Sequence, residues 1–130
     1  MTSAHSIDET TEQLSQLDDY NLQAALLEGV SRTFALTIPQ LPSALYTAVA
    51  NAYLLCRIVD TIEDEISLTP GEKKYFCSLF IDIVKTGQHS GKFAEELAPL
   101  LSDKTIPAEH SLIRLTPRVI AITHSLDHLS

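Results

Sequence analysis

The sequence of 130 residues predicts an all-α protein, built as an antiparallel bundle of helices. Apolar residues recur every three to four positions in several segments, which is typical of helices with one buried face. Proline and glycine fall mostly between these segments, and no segment shows the alternation of a β-strand. A hydrophobic content of 45% and a charged content of 20% are typical of one globular unit.

The N-terminal part divides into a polar lead-in and the first helices. Residues 1–17 are polar and acidic and are predicted to be flexible, whereas residues 18–130 are predicted to form one helical domain. A first short helix is expected from Tyr20 to Gly29, where glycine favours a stop. A second is expected from Arg32 to Ile38, with Ser31 as its N-cap and a proline breaking it.

The strongest helical pattern covers residues 43–65, which are rich in alanine, leucine and isoleucine and contain no internal glycine or proline. Thr69 and Pro70 then begin the next helix as N-cap and first residue, with a glutamate completing a capping box. This helix is predicted to continue to Lys85. A short helix is expected around residues 93–101, and a last one from Thr116 to the chain end.

The overall charge and the cysteines restrict the classes of function. A formal net charge of -8 disfavours non-specific contact with nucleic acid or an anionic membrane, and no segment approaches the roughly 20 apolar residues of a membrane span. The N-terminus has no basic start and no apolar core of a secretory signal, so the sequence predicts a cytoplasmic protein. Cys56 and Cys77 lie in apolar helical patterns and are predicted to be buried, reduced thiols.

The long helix carries a stripe of polar side chains, namely Tyr53, Arg57, Asp60 and Asp64. At about 100° per residue these four fall within an arc of about 60°. Glu63 lies beside the stripe, while the apolar residues of the helix occupy its opposite side. The helix is therefore predicted to pack its apolar flank and to present a phenol, a guanidinium and carboxylates elsewhere.

Two carboxylates one helical turn apart can hold Mg²⁺, which prefers oxygen ligands and keeps positions for water and phosphate oxygens. With such an ion in place, Asp60 and Asp64 could bind a diphosphate, and Arg57 could clamp the same oxygens. The alternative is a solvated helix face with ordinary ion pairs, and the spacing alone favours that alternative.

Three neighbouring motifs change this balance. They are Ser31-Arg32-Thr33-Phe34, then the Tyr53 to Arg57 step, then Asp60-Thr61-Ile62-Glu63-Asp64. Their order and spacing resemble the squalene and phytoene synthase family, whose early helices carry S-R-[ST]-F, Y-x-x-x-R and D-x-x-E-D in this order. The resemblance is most specific from about residue 26 to residue 64. It implies the helical fold of the isoprenoid synthases.

The resemblance also implies roles for individual residues. Asp60 and Asp64 would be magnesium ligands, with Glu63 as a supporting carboxylate. The resemblance implies contacts with the substrate diphosphate for the following residues: Ser31, Arg32 and Arg57. Phe34 and Tyr53 would line the prenyl pocket, where an aromatic face can stabilise a carbocation.

By this resemblance the protein would be a transferase that joins two farnesyl diphosphates head to head into squalene through a cyclopropyl diphosphate, using Mg²⁺ and NADPH. A phytoene synthase acting on geranylgeranyl diphosphate is the nearer alternative; the letters D-T-I-E-D-E lean towards squalene. Peripheral membrane association is compatible with either. A head-to-tail prenyl synthase or terpene cyclase is a further alternative, against which the Ser31–Phe34 segment weighs.

The family's second aspartate-rich motif has no counterpart after Asp64. The sequence therefore predicts an incomplete domain, whose facing metal ligands lie beyond Ser130 or are absent, and an inactive isolated fragment. A non-catalytic helical fragment or interaction module is the alternative from another class. His124 and His128, four residues apart, could chelate a transition metal, but zinc sites usually need three or four protein ligands, so a solvent-facing terminal helix is expected.

Overall fold

The computed structural model describes residues 4–126, and the side chains from residue 6 onward. The described part of the chain folds into eight α-helices without a β-strand, which confirms the predicted all-α class. The helices are α1 (Ala4–Ser15), α2 (Asp19–Val30), α3 (Arg32–Thr37), α4 (Ser43–Asp64), α5 (Pro70–Thr86), α6 (Ser90–Leu97), α7 (Pro107–Arg114) and α8 (Thr116–Leu126). Short 3₁₀ turns follow α3 and α6, at Ile38–Gln40 and Ala98–Leu100.

Helix α4 lies at the centre of the bundle and packs against α2, α5, α7 and α8. Its side chains Leu54, Ile58 and Ile62 are completely buried, whereas Leu55 and Val59, which the pattern also places on the apolar flank, are half-buried. One continuous hydrophobic core joins them to buried residues of the neighbouring helices, including Leu22, Leu26, Phe80, Phe93, Leu112, Ile113 and Val119. The core thus fixes the rotation of α4 and leaves Asp60 and Asp64 exposed.

The predicted boundaries of the central helices agree closely with the structure. Helix α5 begins with the predicted capping box, in which the Thr69 hydroxyl accepts from the Glu72 N–H and the Glu72 carboxylate accepts from the Thr69 N–H. It ends at Gly87, which adopts the left-handed conformation with φ of 74°. Local capping chemistry therefore decides both ends of this helix.

The flexible lead-in predicted for residues 1–17 is wrong for its described part, because Ala4–Ser15 forms helix α1. Tertiary contacts with α7 hold this polar segment. Ile7 is buried, the hydroxyls of Thr11 and Ser111 are 3.0 Å apart, and Asp8 forms an ion pair with Arg114. Helix α7 was likewise not predicted. Neither segment has a strong local signal, and each is stabilised by packing against the other.

The two cysteines and His124 also differ from expectation. Cys56 is exposed and Cys77 half-buried, so the prediction of two buried thiols is wrong. His124 is half-buried rather than solvent-facing, since its Nε2 atom lies 2.9 Å from the carbonyl oxygen of Val84. The second histidine of the pair, His128, lies outside the described residues.

The close packing of α2 on α7 gives a stability prediction with an internal control. A Cβ atom at Gly29 would lie 2.9 Å from the Cβ of Ala108, so Gly29→Ala should lower the free energy of unfolding by roughly 1–3 kcal/mol through overpacking. Gly91 lies in α6 with nothing within 4 Å of such an atom, so Gly91→Ala should raise it by roughly 0.5 kcal/mol. Urea unfolding measures both changes, and equal effects would contradict the close contact.

Candidate functional site

The predicted stripe lies beside the buried face of α4, where Tyr53 packs against the hydrophobic core. Tyr53 and Arg57 are half-buried, and Asp60 and Asp64 are exposed. Neither aspartate carboxylate forms a hydrogen bond or ion pair with any residue in the described range 4–126. The arrangement therefore leaves two adjacent carboxylates without a protein partner.

These acids crowd the C-terminal end of α4, whose last turn contains no basic residue. A helix C-terminus carries a partial negative charge, so acids placed there are electrostatically unfavourable. Lys73 of α5 partly compensates, because its ammonium group donates to the carbonyl oxygen of Glu63 at 2.6 Å. A cation bound by Asp60 and Asp64 would relieve the remaining repulsion.

The charge of Glu63 acts on a residue of helix α5. The pKa of the Cys77 thiol on α5 is raised, first by burial and then by the negative charge of Glu63. The Glu63 carboxylate is therefore close enough to α5 to disfavour ionisation of this thiol. Among the residues described, no three side chains of histidine, cysteine, aspartate or glutamate come together as a metal-holding group. The pair fits Mg²⁺ in another way, since this ion is often held by one or two carboxylates together with substrate phosphates.

Arg57 contacts an acid that the sequence pattern did not reveal. Its Nε atom lies 3.7 Å from Oε2 of Glu109, in the first turn of α7. The hydroxyl of Thr61, buried between the two helices, lies 3.2 Å from the same oxygen and 2.9 Å from the Arg57 carbonyl oxygen. Glu109 is too far along the chain for any local spacing to identify it, and its position after Pro107 is typical of an ordinary N-terminal helix acid.

Helix α3 places its motif beside the stripe through an aromatic contact. The rings of Phe34 and Tyr53 stack with centroids 4.4 Å apart and planes at 20°. The Ser31 hydroxyl caps α3 by accepting from the Phe34 N–H at 3.3 Å, and Arg32 is exposed. The structure thus joins Phe34 to the stripe, gives Ser31 a capping role, and leaves Arg32 at the surface.

The end of α4 is fixed by Glu65, a buried residue of which only 1% is exposed. It accepts hydrogen bonds from the N–H groups of Ser67 and Ser102 and from the hydroxyls of Ser102 and Thr105. Burial raises the pKa of Glu65, but these four bonds lower it more, to about 2. This ionised carboxylate ties the last turn of α4 to the segment before α7.

The helical fold and the acidic end of its central helix define an all-α protein of the isoprenoid synthase type. The family model described as squalene/phytoene synthase matches residues 27–120, which is most of the chain. The chain therefore belongs to the squalene/phytoene synthase family, as the three motifs indicated.

Individual relatives agree with this assignment. The chain is 34% identical to the squalene synthase of Schizosaccharomyces pombe over 88 residues, covering 68% of this chain and 18% of that protein. It is 35% identical to the squalene synthase of Eremothecium gossypii over 107 residues, covering 78% of this chain and 24% of that protein. A shorter match to the squalene synthase of Solanum lycopersicum reaches 51% over 43 residues, or 33% of this chain and 10% of that protein.

The chain thus spans less than a quarter of the length of these relatives. No solved structure matches it significantly. Within residues 4–126, no helix has the length and apolar character needed to cross a membrane.

Proposed function

We propose that this chain supplies a diphosphate-binding part of an enzyme that joins two farnesyl diphosphates head to head into squalene. Membership of the squalene/phytoene synthase family supports the class of reaction, and the names of the relatives support squalene as the product. The observation that carries the proposal is the pair of unpartnered carboxylates, Asp60 and Asp64, at the end of the stripe that includes Arg57.

The donor set of this pair suits Mg²⁺, which when bound would neutralise charge on the departing diphosphate. Asp60 and Asp64 would hold the ion, with Glu63 adding negative charge nearby. Arg57 would donate hydrogen bonds to the diphosphate oxygens, and its fixed fork suits paired oxygens. Ser31 and Arg32 are the further diphosphate contacts that the family resemblance implies.

The stacked pair of Phe34 and Tyr53 would supply an apolar wall next to the diphosphate site. Such a wall suits the apolar prenyl chain next to the diphosphate. The electron-rich face of an aromatic ring can also stabilise a nearby allylic cation. Rearrangement and reduction of the cyclopropyl diphosphate to squalene would consume NADPH.

The test is incubation of the complete protein with farnesyl diphosphate, Mg²⁺ and NADPH, followed by mass-spectrometric analysis of the lipid products. Squalene is the expected product, and its formation should stop when the metal is chelated. Phytoene from geranylgeranyl diphosphate would instead indicate the sister activity. Absence of product from both substrates would overturn the proposal in favour of a non-catalytic helical module.

A further inference from the structure

The guanidinium group of Arg57, on α4, has a buried Nε atom that faces α7. Its Nε atom is buried and forms no hydrogen bond, yet it lies 3.7 Å from Oε2 of Glu109 on α7. The Arg57 side chain as a whole is 30% exposed, so its exposure lies in atoms other than Nε. The guanidinium therefore has an inner edge facing Glu109 and an outer part facing solvent.

The acid that faces Arg57 is itself fixed. Only 15% of the Glu109 side chain is exposed, and the same Oε2 atom lies 3.2 Å from the hydroxyl of Thr61. Thr61 is one helical turn after Arg57 on α4, and its hydroxyl also lies 2.9 Å from the Arg57 carbonyl oxygen. The carboxylate of Glu109 thus has a defined place relative to the backbone that carries Arg57.

An ion pair as long as this one contributes little to the stability of the fold. The pair can nevertheless restrict the orientation of the Arg57 side chain. An arginine side chain has several rotatable bonds, and holding its inner edge restricts the directions in which the remaining N–H groups can point. A pre-oriented fork loses less entropy when it binds a phosphate group.

We propose that Glu109 is a positioning residue that holds the guanidinium of Arg57 so that its outer N–H groups face a diphosphate bound at Asp60 and Asp64. This inference rests on the proposed function for its ligand. The orientation of Arg57 by Glu109 is a property of the free protein and can be tested without any ligand.

The first measurement is the ¹H–¹⁵N spectrum of the arginine side chains in the free protein. The Arg57 Nε–H signal should be shifted from that of the exposed Arg32 and should exchange slowly with water. In Glu109→Gln it should move towards the Arg32 signal. The second is calorimetric titration with inorganic diphosphate and Mg²⁺, in which Glu109→Gln should weaken binding roughly tenfold, within the range found for coupled neighbours.

Matched variants separate positioning from general damage. Glu95→Gln makes the same chemical change at an exposed site of α6 and should alter neither measurement. Thr61→Val keeps the shape of a buried side chain but removes the hydroxyl, and should change the Arg57 signal in the same direction as Glu109→Gln. Adding Glu109→Gln to Arg57→Lys should cause little loss of diphosphate binding beyond that of Arg57→Lys alone, because both changes remove the same oriented guanidinium group.

The outcomes distinguish the two proposals. An Arg57 signal that is unchanged in folded Glu109→Gln would overturn the positioning role, whatever the binding result. Unchanged diphosphate affinity in that variant would overturn it as well. If the wild-type chain shows a held Arg57 signal but binds no diphosphate with Mg²⁺, the orientation of Arg57 stands, and the proposed ligand for this chain fails.

Discussion

Replacing both aspartates, Asp60→Asn with Asp64→Asn, should weaken Mg²⁺-dependent binding of inorganic diphosphate by about 100-fold or more. Both side chains are exposed and lack a protein partner, so the variant removes the proposed metal ligands without breaking a structural contact. Loss of groups around a metal commonly costs 10–100-fold even when they are not direct ligands. Calorimetric titration with and without Mg²⁺ measures the effect.

The same double variant should keep its fold. Removal of two like charges one turn apart at a helix C-terminus should change the free energy of unfolding by no more than about 0.5 kcal/mol, and in the stabilising direction. Asp82→Asn, at an exposed position of α5, is the matched control and should bind diphosphate like the wild type. An equal loss of binding in this control would indicate a general effect of negative charge, and unfolding of the double variant would indicate that the stripe has a structural role.

Glu65→Gln should strongly lower the free energy of unfolding. Each oxygen of the Glu65 carboxylate accepts from a backbone N–H and from a hydroxyl. In either orientation of the glutamine amide, its NH₂ group would replace one of these oxygens and face a backbone N–H that also donates. Buried donors would then lack acceptors. A loss of about 3 kcal/mol at neutral pH follows from the lowered pKa, with a fall in melting temperature of roughly 10 °C.

This contribution should depend on pH in a defined direction. Because the pKa of Glu65 in the folded protein is about 2, below its ordinary value of 4.5, the folded state releases the proton more readily. The stabilisation is complete above about pH 4.5 and is lost as the pH falls towards 2. The difference between wild type and Glu65→Gln in urea unfolding should shrink over this range. A constant difference would contradict the account, and Glu95→Gln should show almost none at any pH.

The elements with strong local signals were predictable from the sequence. The apolar residues of α4 have helical periodicity and no proline or glycine interrupts them, so the length of this helix follows from the sequence, whereas its rotation is set by the packing that buries Leu54 and Thr61. The capping box at Thr69 and the glycine at the end of α5 are local chemistry, and the structure confirms them. The motifs at Ser31–Phe34 and along α4 identified the family, which the comparisons confirm.

Other features depend on contacts between distant segments. Helix α1 is polar and becomes ordered through α7, so a reading of residues 1–17 alone could not find it. Glu109 and Glu65 resemble ordinary surface acids in the sequence, and only the packing shows that one faces Arg57 and the other is buried. The metal and substrate roles of the stripe remain predictions, since they concern groups that this chain would bind.

The most direct test of the central claim is residue-level chemical-shift mapping of the chain titrated with Mg²⁺ and inorganic diphosphate together. The largest shifts should fall on Arg57, Asp60 and Asp64, should require both components, and should disappear in the double aspartate variant. Shifts confined to the lysines of α5, or no shifts at all at millimolar diphosphate, would contradict a magnesium diphosphate site at the end of α4.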